Sequence, residues 1–252
     1  MATQQEINEL REKIAISCRI MGNRGVTRGS FGHVSARIPG SDNFLIKAKG
    51  PDEEALEFAT ARDIITIDSE VAVVEAPQGL QAPNETAMHL AVYRRRSEVQ
   101  SVIHAHPDWV VLLSAVEKPL LPIYGAYDPP GMKMCADGIP MYPRSVTIIN
   151  DELGDDFMRT MGNSDVCMLR GHGITAAGRG VEDVTSRTLT LYELARMNYM
   201  AYAIGDPRPI PQQDLDEYAE RGTAGPRRAT VGSTGEPASW RYQRKLLARQ
   251  LL

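Results

Sequence analysis

The stretch SVIHAHPDWV, Ser101 to Val110, ends an apolar run with two histidines one residue apart and closes it with proline. Side chains alternate along a β-strand, so His104 and His106 point to one face while Ile103 and Ala105 point to the other. That spacing suits two ligands converging on one cation. It equally suits two satisfied polar groups at the end of a core strand, so the pair is read together with the other histidines, His33, His89 and His172.

Downstream, His172 stands between two glycines in LRGHGITAAG, at a strand–turn–strand junction where glycine permits backbone that brings one side chain close to another element. Upstream, PNETAMHLAVYRRRSE repeats Met88, Val92 and their neighbours at helical spacing, with Asn84 placed as the N-cap. Glu85 and His89 are four apart and share one face of that helix. Two imidazoles from one strand and a third from a separate turn suit a divalent transition metal with an open position for substrate. Glu85 supplies either a fourth, carboxylate ligand or a base beside the ion. His89 has two readings: it orients Glu85, or it caps an apolar helix face.

The rest of the chain alternates short strands with helices. The start, MATQQEINELREKIAISCRIM, has the periodicity of an amphipathic helix and lacks the basic flank and cleavage site of a secretory signal. GNRGVTRGSFGHVSARIPGSDNFLIKAKG and TARDIITIDSEVAVVE read as successive strands divided by glycine turns, with a cap-like turn from Thr60 to Asp63. A short helix is expected in PDWVVLLSAVE, its proline in the first turn. Leu120 to Arg144 holds five prolines and three glycines and reads as a long structured loop. Then come a helix from Asp151 to Gly162, the strands DVCMLR and ITAAG, and a long helix ending at Gly205. The tail from Asp206 is polar until a helix-like SWRYQRKLLARQLL, which has to wrap or pack on something. No repeat or linker interrupts the pattern, which is one mixed sheet with helices on both sides.

Composition narrows the class. The mean hydropathy is -0.28, and no apolar run is long enough for a membrane span. A net charge of -4 and a pI near 5.8 give no basic field for nucleic acid. Cys18, Cys135 and Cys167 are far apart and form no CxxC, so neither a disulfide framework nor a thiolate site is indicated, and a cytoplasmic location is expected.

Four segments, in order, carry a family resemblance. SFGHVSAR is similar to an early glycine-turn motif, NETAMHLAVY to a glutamate helix, SVIHAHP to an HxH metal strand, and LRGHGITAAG to a third-histidine turn. From Ile14 to Gly205 the chain resembles the class II aldolase/adducin family. The resemblance implies an α/β, three-layer fold with a central mixed, mostly antiparallel sheet flanked by helices. It implies one domain over residues 1–252, with a C-terminal extension from about 206 to 252. It makes His104, His106 and His172 ligands of one divalent metal ion, Zn, Mn, Fe or Co, and Glu85 the acid/base or an additional ligand. It further implies a homotetramer with sites between subunits, to which SWRYQRKLL offers an interface element. Adducin-like members lack the full metal set; this chain keeps it, so an enzyme is expected rather than a structural binding module.

The departures from the sugar-phosphate aldolases narrow the substrate. His33 stands where those enzymes usually have Asn. The stretches that hold phosphate in them read KAKGPDEE and APNETA here, with Lys47, Lys49 and Asn84 in place of small hydroxyls. Arg170 precedes GHG where Asn is common. An arginine grips a carboxylate bidentately and a lysine adds a point charge, so a carboxylate-rich ligand is favoured over a phosphorylated one. Lys47 and Lys49 also fit a solvent-facing strand edge. The pattern is similar to the decarboxylase branch of the family, which acts on hydroxylated aromatic or pyridine carboxylates in aromatic catabolism. Loss of CO2, like retro-aldol cleavage, leaves a carbanion that needs an electron sink, which a divalent metal supplies. On this expectation the catalytic residues are Glu85 and His33, and His33, Lys49, Asn84 and Arg170 hold the substrate. Tyr124, Tyr127 and Tyr142 are three candidates for lining the pocket or supplying a proton, with no basis in sequence for choosing among them. The second reading is an aldolase or epimerase on an unphosphorylated hydroxy-carbonyl compound.

Overall fold

The structure, a computed structural model, describes residues 2–51, 53–223 and 236–250. Helix α1 (Gln4–Asn23) opens with a capping box: the Thr3 hydroxyl accepts from the Glu6 N–H, and the Glu6 carboxylate accepts from the Thr3 N–H at 2.7 Å. The sheet then builds as a meander of β1 (His33–Arg37), β2 (Phe44–Lys47), β3 (Ile64–Ile67) and β4 (Val73–Glu75). Between β2 and β3 the predicted turn is present, with the Thr60 N–H and hydroxyl both on the Asp63 carboxylate.

Helix α2 (Thr86–Arg95), strand β5 (Ser101–Ala105) and helix α3 (Asp108–Ala115) follow. The proline-rich stretch expected as a loop contains a short helix, α4 (Pro129–Cys135), and a two-residue strand, β6 (Met141–Tyr142). The helix forms because Asp128 caps it and prolines occupy its first turn, where a missing N–H costs nothing. Helix α5 (Asp151–Met161), strands β7 (Val166–Leu169) and β8 (Gly173–Gly178), and the long α6 (Val181–Ile204) lie where periodicity places them.

The eight strands run β4-β3-β2-β1-β5-β8-β7-β6, antiparallel throughout except for the parallel β6–β7 pair. Two cores cover the two faces. On one, Ile14, Cys18 and Met21 of α1 and Leu191 and Leu194 of α6 pack on Val34, Leu45, Ile103 and Ile174. On the other, Met88 and Val92 of α2 and Phe157 and Met161 of α5 pack on Ile46, Val102, Cys167 and Ala177. The expected three-layer architecture is the observed one.

After Gly205 come α7 (Gln212–Thr223) and α8 (Ala238–Gln250). The tail does pack: Trp240 and Leu247 of α8 are buried in the α1/α6 core. Leu251 and Leu252, the end of the expected helix, lie outside the described residues. Among the described residues no helix is long and apolar enough to cross a membrane.

Candidate metal centre

The site forms where β1, β5 and the turn before β8 meet the start of α2. His33 on β1 is directly opposite His104 on β5, so the two imidazoles share one face of the sheet. His106 follows the strand end, and His172 occupies the turn between β7 and β8. Gly171 takes a left-handed φ of 61°, and its N–H donates to the Ser114 hydroxyl of α3, which turns His172 back toward β5. Gly173 lies against β5 so closely that a Cβ there would collide with the Ala105 carbonyl and the His106 ring. A Gly173→Ala variant is therefore expected to lose about 1–3 kcal/mol of stability through overpacking and to displace His106. Denaturant titration, with a parallel drop in metal affinity, checks this.

One nitrogen each from His104, His106 and His172 and one oxygen from Glu85 lie within 4.8 Å of one another. Glu85 is the residue immediately before α2, the cap position expected for Asn84, and its Oε1 accepts the Ile148 N–H at 3.0 Å. That leaves Oε2 facing His104 Nε2 at 3.2 Å and His172 Nε2 at 3.4 Å. His104 is fully buried, and its Nδ1–H donates to the Ile174 carbonyl at 2.8 Å, so its Nε2 carries a lone pair. The same nitrogen lies 2.7 Å from His106 Nε2. A buried lone pair aimed at a carboxylate oxygen and at a second imidazole is repulsive unless a cation lies between them, and the donor set fits a divalent metal ion.

Electrostatics keep His106 and Glu85 in the form that could ligate a cation. Burial, reinforced by His104 and His172, pushes His106 down to about 3, so its ring is neutral over the physiological range. Burial raises the Glu85 carboxyl, but the close approach of the His104 and His172 imidazoles outweighs that and holds it well below the usual carboxylate range. The three cysteines take no part: they are buried free thiols that burial raises to about 12.

The donors open into a pocket of about 360 Å³ shared with Phe31, His33, Lys49, Glu53, Asn84 and Thr147. A groove of similar size, about 390 Å³, lies between α4 and α6 beside Arg187 and has no imidazole. Chemistry, not volume, selects between them.

The pocket gathers most of the expected residues, but not all. Lys49 and Asn84 reach it, hydrogen-bonded to each other, so Asn84 does not cap α2 as its sequence position suggests. Arg170 does not line it: the turn sends its side chain toward the end of α3, where the guanidinium pairs with Glu117 at 2.7 Å. Lys47 is also elsewhere. It shares the α1-covered face with Leu45, is 1% exposed, and donates to the Ala48 carbonyl with Glu53 at 3.6 Å. None of the three candidate tyrosines lines the pocket; Tyr142 is buried and donates to Asp156, and Tyr124 stacks edge-on with Tyr127.

Two features escaped the sequence reading. Phe31, 66% exposed, stacks on His106 with ring centroids 5.6 Å apart. An aromatic beside Gly32, at the head of the histidine strand, was its only signal. His89 neither touches Glu85 nor caps an apolar face: its Nε2 is 2.7 Å from His33 Nδ1, and its Nδ1 is 2.7 Å from the Ser35 hydroxyl, itself 2.7 Å from the Tyr93 hydroxyl.

Three imidazoles and a carboxylate in a polar pocket, on an antiparallel sheet between helical layers, define an enzyme centre suited to one divalent cation and an organic anion. Residues 12–199 match the Class II Aldolase and Adducin N-terminal domain, and the chain belongs to that family. It is 34% identical over 237 residues to a 3,4-dihydroxyphthalate decarboxylase of Arthrobacter keyseri, covering 92% of each chain. It is 35% identical to another of that name from Terrabacter sp. (strain DBF63), covering 92% of this chain and 95% of the relative. An L-fuculose phosphate aldolase of Escherichia coli O6:H1 is more distant, at 26% over 81% of this chain and 89% of its own. In fold, an aldolase II superfamily protein from Pseudomonas syringae superposes with a TM-score of 0.80 at 22% identity, over 99% of this chain and 94% of its own.

Proposed function

We propose that this chain is a metal-dependent decarboxylase, a carboxy-lyase acting on an aromatic or pyridine ring that bears a carboxylate beside a hydroxyl, in the breakdown of aromatic compounds. The observation that carries the reading is one pocket holding the His/Glu donor set together with a lysine and an exposed aromatic ring. The names of the relatives at 34% and 35% identity support the same substrate class.

His104, His106 and His172 would hold the cation, with Glu85 beside them. When bound, the cation supplies a Lewis acid that draws charge from the ring as the carbon–carboxylate bond breaks. Lys49, steadied by Asn84, meets a substrate carboxylate as a point charge. Glu85 Oε2, its partner oxygen anchored on the Ile148 N–H, accepts the hydroxyl proton of the substrate and returns one to the ring carbon that loses CO2. His33 holds the substrate from β1. Phe31 stacks on the substrate ring; at about 0.5–1.5 kcal/mol for an aromatic pair, Phe31→Ala is expected to raise KM about two- to tenfold, with bound metal unchanged by elemental analysis.

The deciding experiment is CO2 release from a panel of ortho-hydroxy aromatic and pyridine carboxylates, with metal-loaded protein and a chelated control. Metal-dependent release from one compound supports the reading, and release that ignores the chelator overturns it. The similarity to the fuculose phosphate aldolase carries a second reading, an aldolase or epimerase on an unphosphorylated hydroxy-carbonyl compound. Release of an aldehyde without CO2 selects it. Either reading goes with a cytoplasmic homotetramer whose sites lie between subunits. The open pocket leaves room for a neighbouring chain to complete the site.

A further inference from the structure

We propose that Tyr93, Ser35 and His89 are positioning residues that lock His33 in one tautomer, with its proton on Nε2. His33 then meets the substrate as a neutral hydrogen-bond donor and not as the acid that replaces CO2. The tautomer stands on geometry alone; its use on a carboxylate substrate rests on the function proposed above.

Glu85, His89 and Tyr93 recur every four residues down one side of α2, opposite His33 and Ser35, which share a face of β1. Three bonds of 2.7 Å join Tyr93 to Ser35, Ser35 to His89, and His89 to His33, all among buried side chains. Two hydroxyl protons and one proton on each ring have to be shared along this line, and the end of the line fixes their direction. The Tyr93 hydroxyl faces Ser35 Oγ and the Val102 backbone N–H, which is itself a donor, so the Tyr93 proton goes to Ser35. Ser35 then donates to His89 Nδ1, the His89 proton belongs on Nε2 and donates to His33 Nδ1, and the His33 proton is left on Nε2. In the opposite direction the Tyr93 proton has no acceptor among the described residues, in a site that excludes water.

Both rings are neutral in these surroundings. A nitrogen that accepts a hydrogen bond carries no proton, and each ring accepts on Nδ1, His89 from Ser35 and His33 from His89. His33 Nε2 has no hydrogen bond within the described chain and is not sealed from solvent, and His33 lines the pocket. A neutral imidazole with its far nitrogen already occupied does not readily surrender its proton. What it offers is an oriented N–H for negative charge developing on the substrate.

Two measurements test this. Long-range proton–nitrogen NMR on protein with isotope-labelled histidine reads the tautomer without any turnover, with the His33 signals assigned from their loss in His33→Gln. The expected result is a protonated Nε2 and an unprotonated Nδ1; the reverse pattern overturns the proposal whether or not the protein decarboxylates anything. In kinetics, His33→Gln keeps a neutral N–H and no transferable proton, so its kcat is expected within about tenfold of the natural chain. His33→Leu is expected to fall about a hundredfold or more. Equal losses in the two variants overturn the donor role. His89→Met removes the donor to His33 and is expected to lower kcat about tenfold with KM nearly unchanged, whereas His89→Gln, whose amide donates to His33 and accepts from Ser35, restores it. Two His89 variants that lose activity equally, in step with their Tm, point to a structural role and sink the positioning one. If the natural chain releases no CO2, the function proposed above fails and the NMR result still decides the tautomer.

Discussion

Replacing His104 by alanine is expected to strip the protein of stoichiometric metal and to lower CO2 release by about a thousandfold or more, the loss that follows when several kcal/mol of charge stabilisation disappears. His104 is the donor on which the others converge. It is fully buried, its Nδ1–H is fixed on the Ile174 carbonyl, and its Nε2 faces both Glu85 and His106. Removing it takes away the donor that lies between Glu85 and His106 and leaves a buried carboxylate short of a partner, so the remaining groups no longer converge on one point. Metal analysis before and after readdition, with circular dichroism to verify folding, measures the first effect; CO2 release measures the second. A folded, metal-free His104→Ala that decarboxylates at the full rate would falsify the metal-dependent mechanism. His106→Ala removes a half-buried donor at the strand end and leaves the fully buried His104 facing Glu85, so the expected loss of metal is smaller.

Trp240→Ala is expected to destabilise the fold by about 3–5 kcal/mol, the usual cost of emptying a large aromatic site in a core. Trp240 is 1% exposed and belongs to the core cluster of Ile14, Cys18, Leu191 and Leu194. Helix α8 thus closes the outer layer over α1 and α6, and the tail is structural even though residues 12–199 carry the family match. Urea unfolding monitored by tryptophan fluorescence and circular dichroism reads the change directly. A loss under about 1 kcal/mol would mean that α8 docks loosely and that the core is complete without it.

The group of residues that could hold a metal was legible because each member rests on a local rule. Alternation along β5 and the strand end bring His104 and His106 together, the glycine turn aims His172, and helix onset places Glu85 at the same end of the sheet. The residues around them were less so. Lys47 and Lys49 look alike in sequence, two apart at the end of one strand. Yet Lys47 is still in the ladder, paired with Ile64 and covered by α1, while Lys49 has left it for a bridge to Gln81. Arg170 and His172 are likewise two apart, and the left-handed Gly171 between them parts their directions. Phe31 carries no such local signal, because nothing in consecutive residues says that an aromatic between turns will lie over a histidine from another strand.

His89 draws the line most clearly. Helical spacing put it on the face of Glu85, and that is where it is. Its partners, however, are His33 and Ser35 on β1, 56 and 54 residues away along the chain. Periodicity, turn chemistry and strand alternation are properties of consecutive residues, so the chain's order alone carries the elements, the layered sheet and the end of it where the donors gather. Which polar group a buried side chain meets depends on how distant elements register against one another, as His33 does opposite His104. Burial then makes each such meeting obligatory, because an unpaired donor or charge away from water is too costly to leave. The hydrogen-bonded line behind His33, the withdrawal of Lys47 and Arg170, and the docking of Trp240 all follow from packing and have no counterpart in any short stretch of sequence.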